Sequence, residues 1–545
     1  MAAESVAPEK GQGWLSGADW CRGRRAWLLA MLLYLPMAAV IALHLLVPPA
    51  GLWPTGFLQY DQGGYMAMAR EGFDRTIMPH PFFALPATAD PASPRVYSYP
   101  HLFALGLVEE LLDADPGRLY LVFGALCGIV FLRLAIALYG RAVQQRDGAA
   151  LLGLGLFAWG GGLFVLAGAV ASALQGKIDF NSLFQFDPDG GFWFLDLGRN
   201  LFYGVEAYYH ALAFGLLLAL LDRRWTLSLV LMALLGACHP FTGAQFLSIA
   251  LAWALPQIVI APRDRPPLWF AFGGLAILAL FLAYHFWYLP QSAEHRALMA
   301  DWSLAWTLPL SALALSCALI APAALVTLAK HRLEPRLAAL LAVTAGLSLL
   351  LANHELFMTP RQPLHFTRGY FWFPLFLLAT PWLVPLLRRL SQKRHRLAVA
   401  AIAGLFLLDN AAWLSVQAAQ NAGGFGAARY LSQEERDILG RLAYADGPAL
   451  LVSTDDRLGY DVLIYTQWQS WYSHEHLTPF ADERRAELSR WAATGEEPPA
   501  WRRDFDLVAF VVPWRDDYRS LPWITSETSV ERIGDRLLAI RPRPR

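Results

Sequence analysis

Long apolar stretches separated by short basic ones fill the chain from residue 26 to residue 415. Crossing about 30 Å of hydrocarbon takes about 20 mostly apolar helical residues. Eleven stretches fit that requirement: 26–48, 119–139, 149–170, 207–222, 225–238, 243–261, 268–289, 305–329, 337–353, 369–387 and 397–415. The pair 207–222 and 225–238 is short and is extended by flanking aromatics. Beyond residue 430 the pattern changes. Leu450-Leu451-Val452, Val462-Leu463-Ile464, Leu507–Val512 and Leu537–Ile540 read as short buried strands, with helical stretches such as 481–494 between them. Alternating strands and helices predict a small α/β domain. The expected organisation is an N-terminal segment 1–25, a helical membrane domain 26–415 with large loops 49–118 and 171–206, and an α/β domain 416–545.

The polar connections are asymmetric. One set is short and basic: Arg22, Arg24 and Arg25; Arg141 and Arg146; Arg223 and Arg224; Arg263 and Arg265; Lys330, Arg332 and Arg336; and Arg388, Arg389, Lys393, Arg394 and Arg396. The positive-inside rule puts all six clusters, and the N-terminus, in the cytoplasm. Eleven crossings then put the C-terminus outside. The opposite loops (49–118, 171–206, 290–304 and 354–368) are long, aromatic and rich in Asp and His. Such loops are where a membrane enzyme keeps its site. Within the helices charge is sparse. Arg133 lies near a cytoplasmic end and is expected to snorkel, and Asp409 is the main exception.

Composition agrees with this reading. Charged residues are 16% of the 545 and hydrophobic ones 56%, with Lys+Arg 44 balancing Asp+Glu 44. Soluble domains carry about 25% charge, so a bilayer is needed as well as a core. The zero balance gives no global field for nucleic acid. Of the 44 basic residues only Lys10, Lys177, Lys330 and Lys393 are lysines. That bias reads as GC-rich bacterial codon usage. Cys21, Cys127, Cys238 and Cys317 form neither a disulfide framework nor a zinc pattern. The α/β tail has no GxGxxG and no P-loop, so no nucleotide site is assigned.

Candidate chemistry begins just past the first helix, in Tyr60-Asp61-Gln62-Gly63-Gly64-Tyr65 leading to Ala69-Arg70-Glu71. Asp61 precedes a short amphipathic helix and fits two roles, a helix cap or a carboxylate base. Tyr97-Ser98-Tyr99-Pro100-His101 leads toward the second helix. An Asp after the first helix, a nearby Tyr and Ala-Arg, and a Tyr/Pro-rich approach to the second helix together resemble the GT-C glycosyltransferases. This superfamily uses polyprenyl-phosphate-linked sugars and includes protein mannosyltransferases, aminoarabinose transferases and oligosaccharyltransferases. The architectural resemblance covers nearly the whole chain; the motif resemblance is concentrated at Asp61, Tyr65, Arg70 and Tyr99-Pro100.

The resemblance implies an α-helical polytopic fold of GT-C type in a bacterial inner membrane, with its site facing the periplasm. It implies a polyprenyl-phosphate sugar donor, a hydroxyl acceptor on a lipid, glycan or protein, Asp61 as base, and inversion. Tyr65, Arg70, Tyr99, Glu206 and His210 are the expected acceptor and substrate contacts. Glu206 and His210, four apart, share a helix face. Basic residues in a late outer loop are implied for the departing phosphate. Bidentate Arg chemistry selects Arg368, with His365, and then Arg361. Asp187-Pro188-Asp189 offers a DxD for Mg²⁺ or Mn²⁺, and is equally an ordinary turn sequence. Trp468, Trp471, His474 and His476 read either as a sugar-stacking surface or as packing. Two other classes remain open: a flippase for lipid-linked sugars, which would need a polar path across the bilayer, and a non-catalytic glycan-binding scaffold.

Overall fold

All eleven apolar stretches fall on helix. The computed structural model describes residues 23–73, 82–84, 93–176, 181–188, 195–260, 265–301, 306–392, 395–423, 430–474 and 477–543. Among these, eight helices are long and apolar enough to cross a membrane: Gly23–Leu46, Pro116–Ala142, Gly204–Leu221, Pro240–Ile260, Leu268–Gln291, Pro335–Ala352, Trp372–Gln392 and Arg396–Asn421. The count rises to ten if each of two bent pairs is one span, and Trp225–Cys238 is a shorter apolar helix. The chain is a polytopic helical membrane protein.

The two bent pairs depart from the expected continuous helices. Gly148–Trp159 and Phe164–Leu174 meet at 67°, and Leu310–Cys317 and Ala321–Ala329 at 72°. The first break falls on Gly160-Gly161-Gly162. A β-carbon on Gly162 would lie 2.5 Å from the Leu315 carbonyl oxygen, so only glycine admits that approach. A break in an apolar layer strands backbone groups that water cannot satisfy. One dipeptide of Arg396–Asn421 supplies the partners. Asp409 accepts from the N–H groups of Phe164 (3.0 Å) and Val165 (2.9 Å). Asn410 donates to the carbonyls of Trp159 (3.0 Å) and Gly160 (3.2 Å). Asp409, the intramembrane exception in the sequence, is thereby a helix cap. The second break precedes Pro322, which has no N–H to continue a helix. Arg133 also departs from expectation. It is 2% exposed, buried in protein rather than extended to the headgroups.

By contact density the chain forms two compact units. The first is Met1–Ala38, Gly124–Leu278 and Ala305–Ser415; the second is Ala39–Phe123, Ala279–Leu304 and Val416–Arg545. In the first unit the basic connections gather at one end. Arg388 bonds to Asp147, Arg141 pairs with Asp222 at 2.7 Å, and Arg336 donates to the Leu220 carbonyl at 2.8 Å. Four of the six basic clusters therefore share one side. Lys330 and Arg332 stack over Trp382 at 5.5 and 4.8 Å, an interfacial arrangement of aromatic and cation.

The second unit joins the first outer loop to the tail. Strand β1 (Leu52–Pro54) pairs antiparallel with β2 (Tyr430–Ser432). A five-stranded sheet follows, built from β3 (Ala449–Ser453), β4 (Gln469–Ser470), β5 (Leu507–Pro513), β6 (Ser529–Ile533) and β7 (Arg536–Pro542) in the order β4-β3-β5-β7-β6. Strands β4, β3 and β5 run parallel, while β7 is antiparallel to β5 and β6. Both faces are covered. Leu450, Val452, Phe510 and Leu537 face a tryptophan-rich core with Trp471, Trp491, Trp501 and Trp523. Their sequence neighbours Leu451, Ala509, Val511 and Leu538 face a second core with Trp468. Burial on both faces is why these strands read as unbroken apolar runs. It also places Trp468 and Trp471 in the tail's own interior, at 2% and 8% exposure, rather than on a sugar-stacking surface. His476 lies outside the described residues. The expected strand at 462–464 is instead the buried end of the helix Asp456–Tyr465, capped by Asp455.

Candidate functional site

Chemistry-bearing side chains gather in both units. In the second, the helix Gln62–Glu71 packs closely on Asp456–Tyr465. A β-carbon on Gly63 would sit 2.4 Å from Ile464 Cδ1, so the glycine permits the approach. Arg70 fastens the contact. Its guanidinium donates to the Ile464 carbonyl and pairs with Glu109 at 3.2 Å. Tyr65 stacks over Tyr120 at 6.2 Å, and Tyr99 over Tyr97 at 5.9 Å. Tyr97 in turn shares a 2.8 Å hydrogen bond with His295 Nδ1. Tyr284, in a π-helical turn, accepts from the Ser98 N–H and donates to the Val96 carbonyl.

Asp61 stands at the N-terminal end of Gln62–Glu71 without a capping bond from its side chain. Its Oδ1 accepts from His474 Nε2 at 2.9 Å and its Oδ2 from Gln59 Nε2 at 3.1 Å. The Asp61 side chain is 51% exposed while His474 is 8% exposed. A solvent-facing carboxylate thus rests on a buried imidazole.

In the first unit four expected residues converge: Glu206, His210, His365 and Arg368. Arg368 is buried, and its guanidinium bonds to the Glu206 carboxylate and to His365 Nδ1. His239 Nε2 lies 3.4 Å from the same guanidinium. His210 Nε2 meets the Arg368 carbonyl at 2.8 Å, and its Nδ1 meets the Glu206 carbonyl at 2.8 Å. Burial first, and then the charge of Arg368, push the His365 imidazole well below its usual range. It stays neutral and accepts from the arginine. Arg368 has φ +31° and Gly369 +74°, so the arginine holds a backbone shape that a side chain disfavours. Arg361 is exposed, and its N–H donates to His354 Nε2 at 2.8 Å.

A third cluster surrounds Arg199. The guanidinium bonds to Asp187 Oδ2 at 2.7 Å and Asn410 Oδ1 at 3.0 Å, and lies 3.5 Å from Asp196. Burial raises the carboxyl of Asp187 to about 6 against the lowering effect of Arg199, and that of Asp196 is raised for the same reason. Asp189, the other half of the DxD, lies outside the described residues. Among the described residues, no group of three His, Cys, Asp or Glu side chains is placed to hold a metal.

Two features have no signal in the sequence. The role of Arg199 follows only from the fold, and His474 groups in sequence with tryptophans rather than with Asp61, which lies 413 residues away. No local spacing signals such a pair.

No protein-family model matches the chain, and no curated protein matches it. Among solved structures it is similar to ArnT from Cupriavidus metallidurans bound to undecaprenyl phosphate, at 12% identity over 95% of this chain and 98% of that one, with a TM-score of 0.45.

Proposed function

We propose that the protein is a membrane glycosyltransferase of GT-C type that moves a sugar from a polyprenyl-phosphate donor to a hydroxyl acceptor on the periplasmic face. The observation that carries this reading is Asp61. It has the backbone place of a helix cap, yet its carboxylate makes no capping bond and turns to solvent with a hydrogen-bond donor on each oxygen. In the proposed step the acceptor hydroxyl gives its proton to Asp61. Its oxygen attacks the anomeric carbon, and the carbon–oxygen bond to phosphate breaks. The electron pair leaves with the polyprenyl phosphate, and the configuration inverts. Stabilising that departing charge calls for cations. Arg361 is the exposed candidate among the three expected. Arg368 and His365 are held within the Glu206 network, so we assign them the support of the 361–370 loop and a phosphate contact only where phosphate oxygens replace the Glu206 carboxylate. The polar path that a flippase would need loses its main support, because Asp409 is taken up in capping Phe164 and Val165.

The test uses purified protein in detergent, radiolabelled polyprenyl-phosphate hexoses and pentoses, and envelope membranes as acceptor. Asp61→Asn keeps size and removes the proton acceptor. Transfer should fall by a factor of about 10²–10⁴ with an unchanged thermal unfolding curve. Near-normal transfer by this variant would remove Asp61 from the reaction. Absence of transfer by the unaltered protein from every donor would remove the transferase reading.

A further inference from the structure

We infer that His474, from the C-terminal domain, is the positioning residue for Asp61, so that this domain completes the proposed base rather than serving as a separate module. The inference rests on the transferase reading above.

An aspartate that is half in water samples several rotamers, and only some aim the carboxylate at an acceptor. Asp61 is held from both sides. Gln59 accepts from the Asp61 N–H at 2.6 Å and returns a bond to Oδ2 at 3.1 Å. That clasp is local and shares the exposure of the carboxylate. The rigid partner is His474. Its ring stacks on Tyr60 at 4.8 Å, and Tyr60 stacks in turn on Tyr460 at 4.9 Å. Tyr460 is fully buried and lies tilted against His474 at 5.6 Å. The backbone of His474 is fixed as well. Its carbonyl accepts from the Thr478 hydroxyl at 2.8 Å and the Leu477 N–H at 3.0 Å. The imidazole is therefore locked by packing and aims Nε2 at Asp61 Oδ1, 2.9 Å away.

Two consequences follow from the bond. Nε2 carries the proton, because a carboxylate oxygen only accepts. A donor on a carboxylate also favours its ionised form, which is the form a base requires. Fixing a reacting group within a fraction of an ångström is a recognised source of rate. The tail supplies that fixation through His474 and Tyr460, with Tyr60 stacked on both. The sheet beyond it, with cores on both faces, makes the support stiff.

Four variants test the inference in the transfer assay: Asp61→Asn, His474→Ala, His474→Gln and the double Asp61→Asn/His474→Ala. His474→Ala should lower kcat by about 10- to 100-fold, leave the donor KM within about twofold, and move the acid limb of the pH–rate profile upward. His474→Gln, whose amide can still donate, should recover most of kcat and return the acid limb. The double variant should be no slower than Asp61→Asn alone. A structural role would give equal losses in the Ala and Gln variants, or additive losses in the double. Either result overturns the inference. If Asp61→Asn is inactive while His474→Ala is normal, the inference fails and the transferase reading stands. If Asp61→Asn is active, Asp61 is not the base and the inference fails, whereas the transferase reading falls only if the unaltered protein transfers from no donor. Thermal unfolding of the unaltered protein, Asp61→Asn, His474→Ala and the double variant provides a double-mutant cycle without any substrate. Coupling between the two positions supports the contact, and strict additivity overturns it.

Discussion

Arg199 and Arg368 are both loop arginines buried in the first unit and both bonded to carboxylates, yet their surroundings differ. Arg199 is 0% exposed and lies among Asp187, Asp196 and Asp409, with Asn410 on its Nε. Acid exceeds base, and the same Asp409-Asn410 dipeptide caps the broken helix. Arg199 thus closes an internal brace that shares Asp409 and Asn410 with the capping of the broken helix. Arg368 faces one carboxylate and three imidazoles, those of His365, His239 and His210, the last through its own carbonyl. Imidazoles are weak, replaceable partners for a guanidinium, and Arg368 holds a positive φ that a side chain disfavours. One cluster is built to stay shut. The other holds an arginine that a stronger anion could take over.

The largest expected effect separates the two as stability against function. Arg199→Leu leaves buried carboxylates without their cation, and breaking a buried pair this way costs about 3–5 kcal/mol. Detergent-solubilised protein should show a much lower unfolding temperature, or fail to accumulate in the membrane. Normal unfolding of Arg199→Leu would dissolve the distinction.

The next effect is a pH dependence. The carboxyl of Asp187 is raised to about 6 by burial, whereas an unfolded Asp ionises near ~3.9. Between those values the unfolded chain has released the proton and the folded one has kept it. Stability from this group is therefore greatest below about pH 4 and is lost as pH rises through about 6. Asp187→Asn removes the slope. Unfolding temperatures of the two proteins, followed from pH 4 to pH 7, should change relative to each other, with the native protein losing ground. Parallel curves would place the proton elsewhere in the Arg199 cluster.

The sequence revealed what is local. Among the described residues, nine of the eleven apolar stretches are single helices and two are bent pairs, because length and hydropathy predict helix without predicting its breaks. The breaks were hidden because Gly160-Gly161-Gly162 and Pro322 change backbone geometry without changing hydropathy. Val462-Leu463-Ile464 read as a strand because a helix end buried all round is also a continuous apolar run. The shared face of Glu206 and His210 was legible at four-residue spacing, while their partner Arg368 lies 162 and 158 residues further on. Bidentate chemistry singles out Arg368 in the sequence, and its burial follows only from the fold. Asp61 was legible as a residue and ambiguous as a role, since the missing cap bond and the His474 contact are both tertiary facts.

The smallest effect tests the open side of the comparison. Arg368→Lys keeps the charge beside Glu206 and loses the fork that reaches both Glu206 and His365. A lysine ammonium is a point charge and cannot span two partners in one plane. Losing charge-assisted bonds costs on the order of 1.5–3 kcal/mol, and where that cost falls is informative. If Arg368 only supports its loop, the lysine variant should unfold earlier, and donor KM should change no more than in Arg361→Ala. If phosphate replaces Glu206 in the working enzyme, unfolding should move little while transfer falls about 10- to 100-fold. Glu206→Gln should then tighten donor binding by freeing the guanidinium. Measuring unfolding temperature, KM and kcat on Arg368→Lys, Arg361→Ala and Glu206→Gln separates these outcomes. An Arg368→Lys protein normal in both stability and transfer would remove Arg368 from the phosphate site and leave Arg361 to hold it.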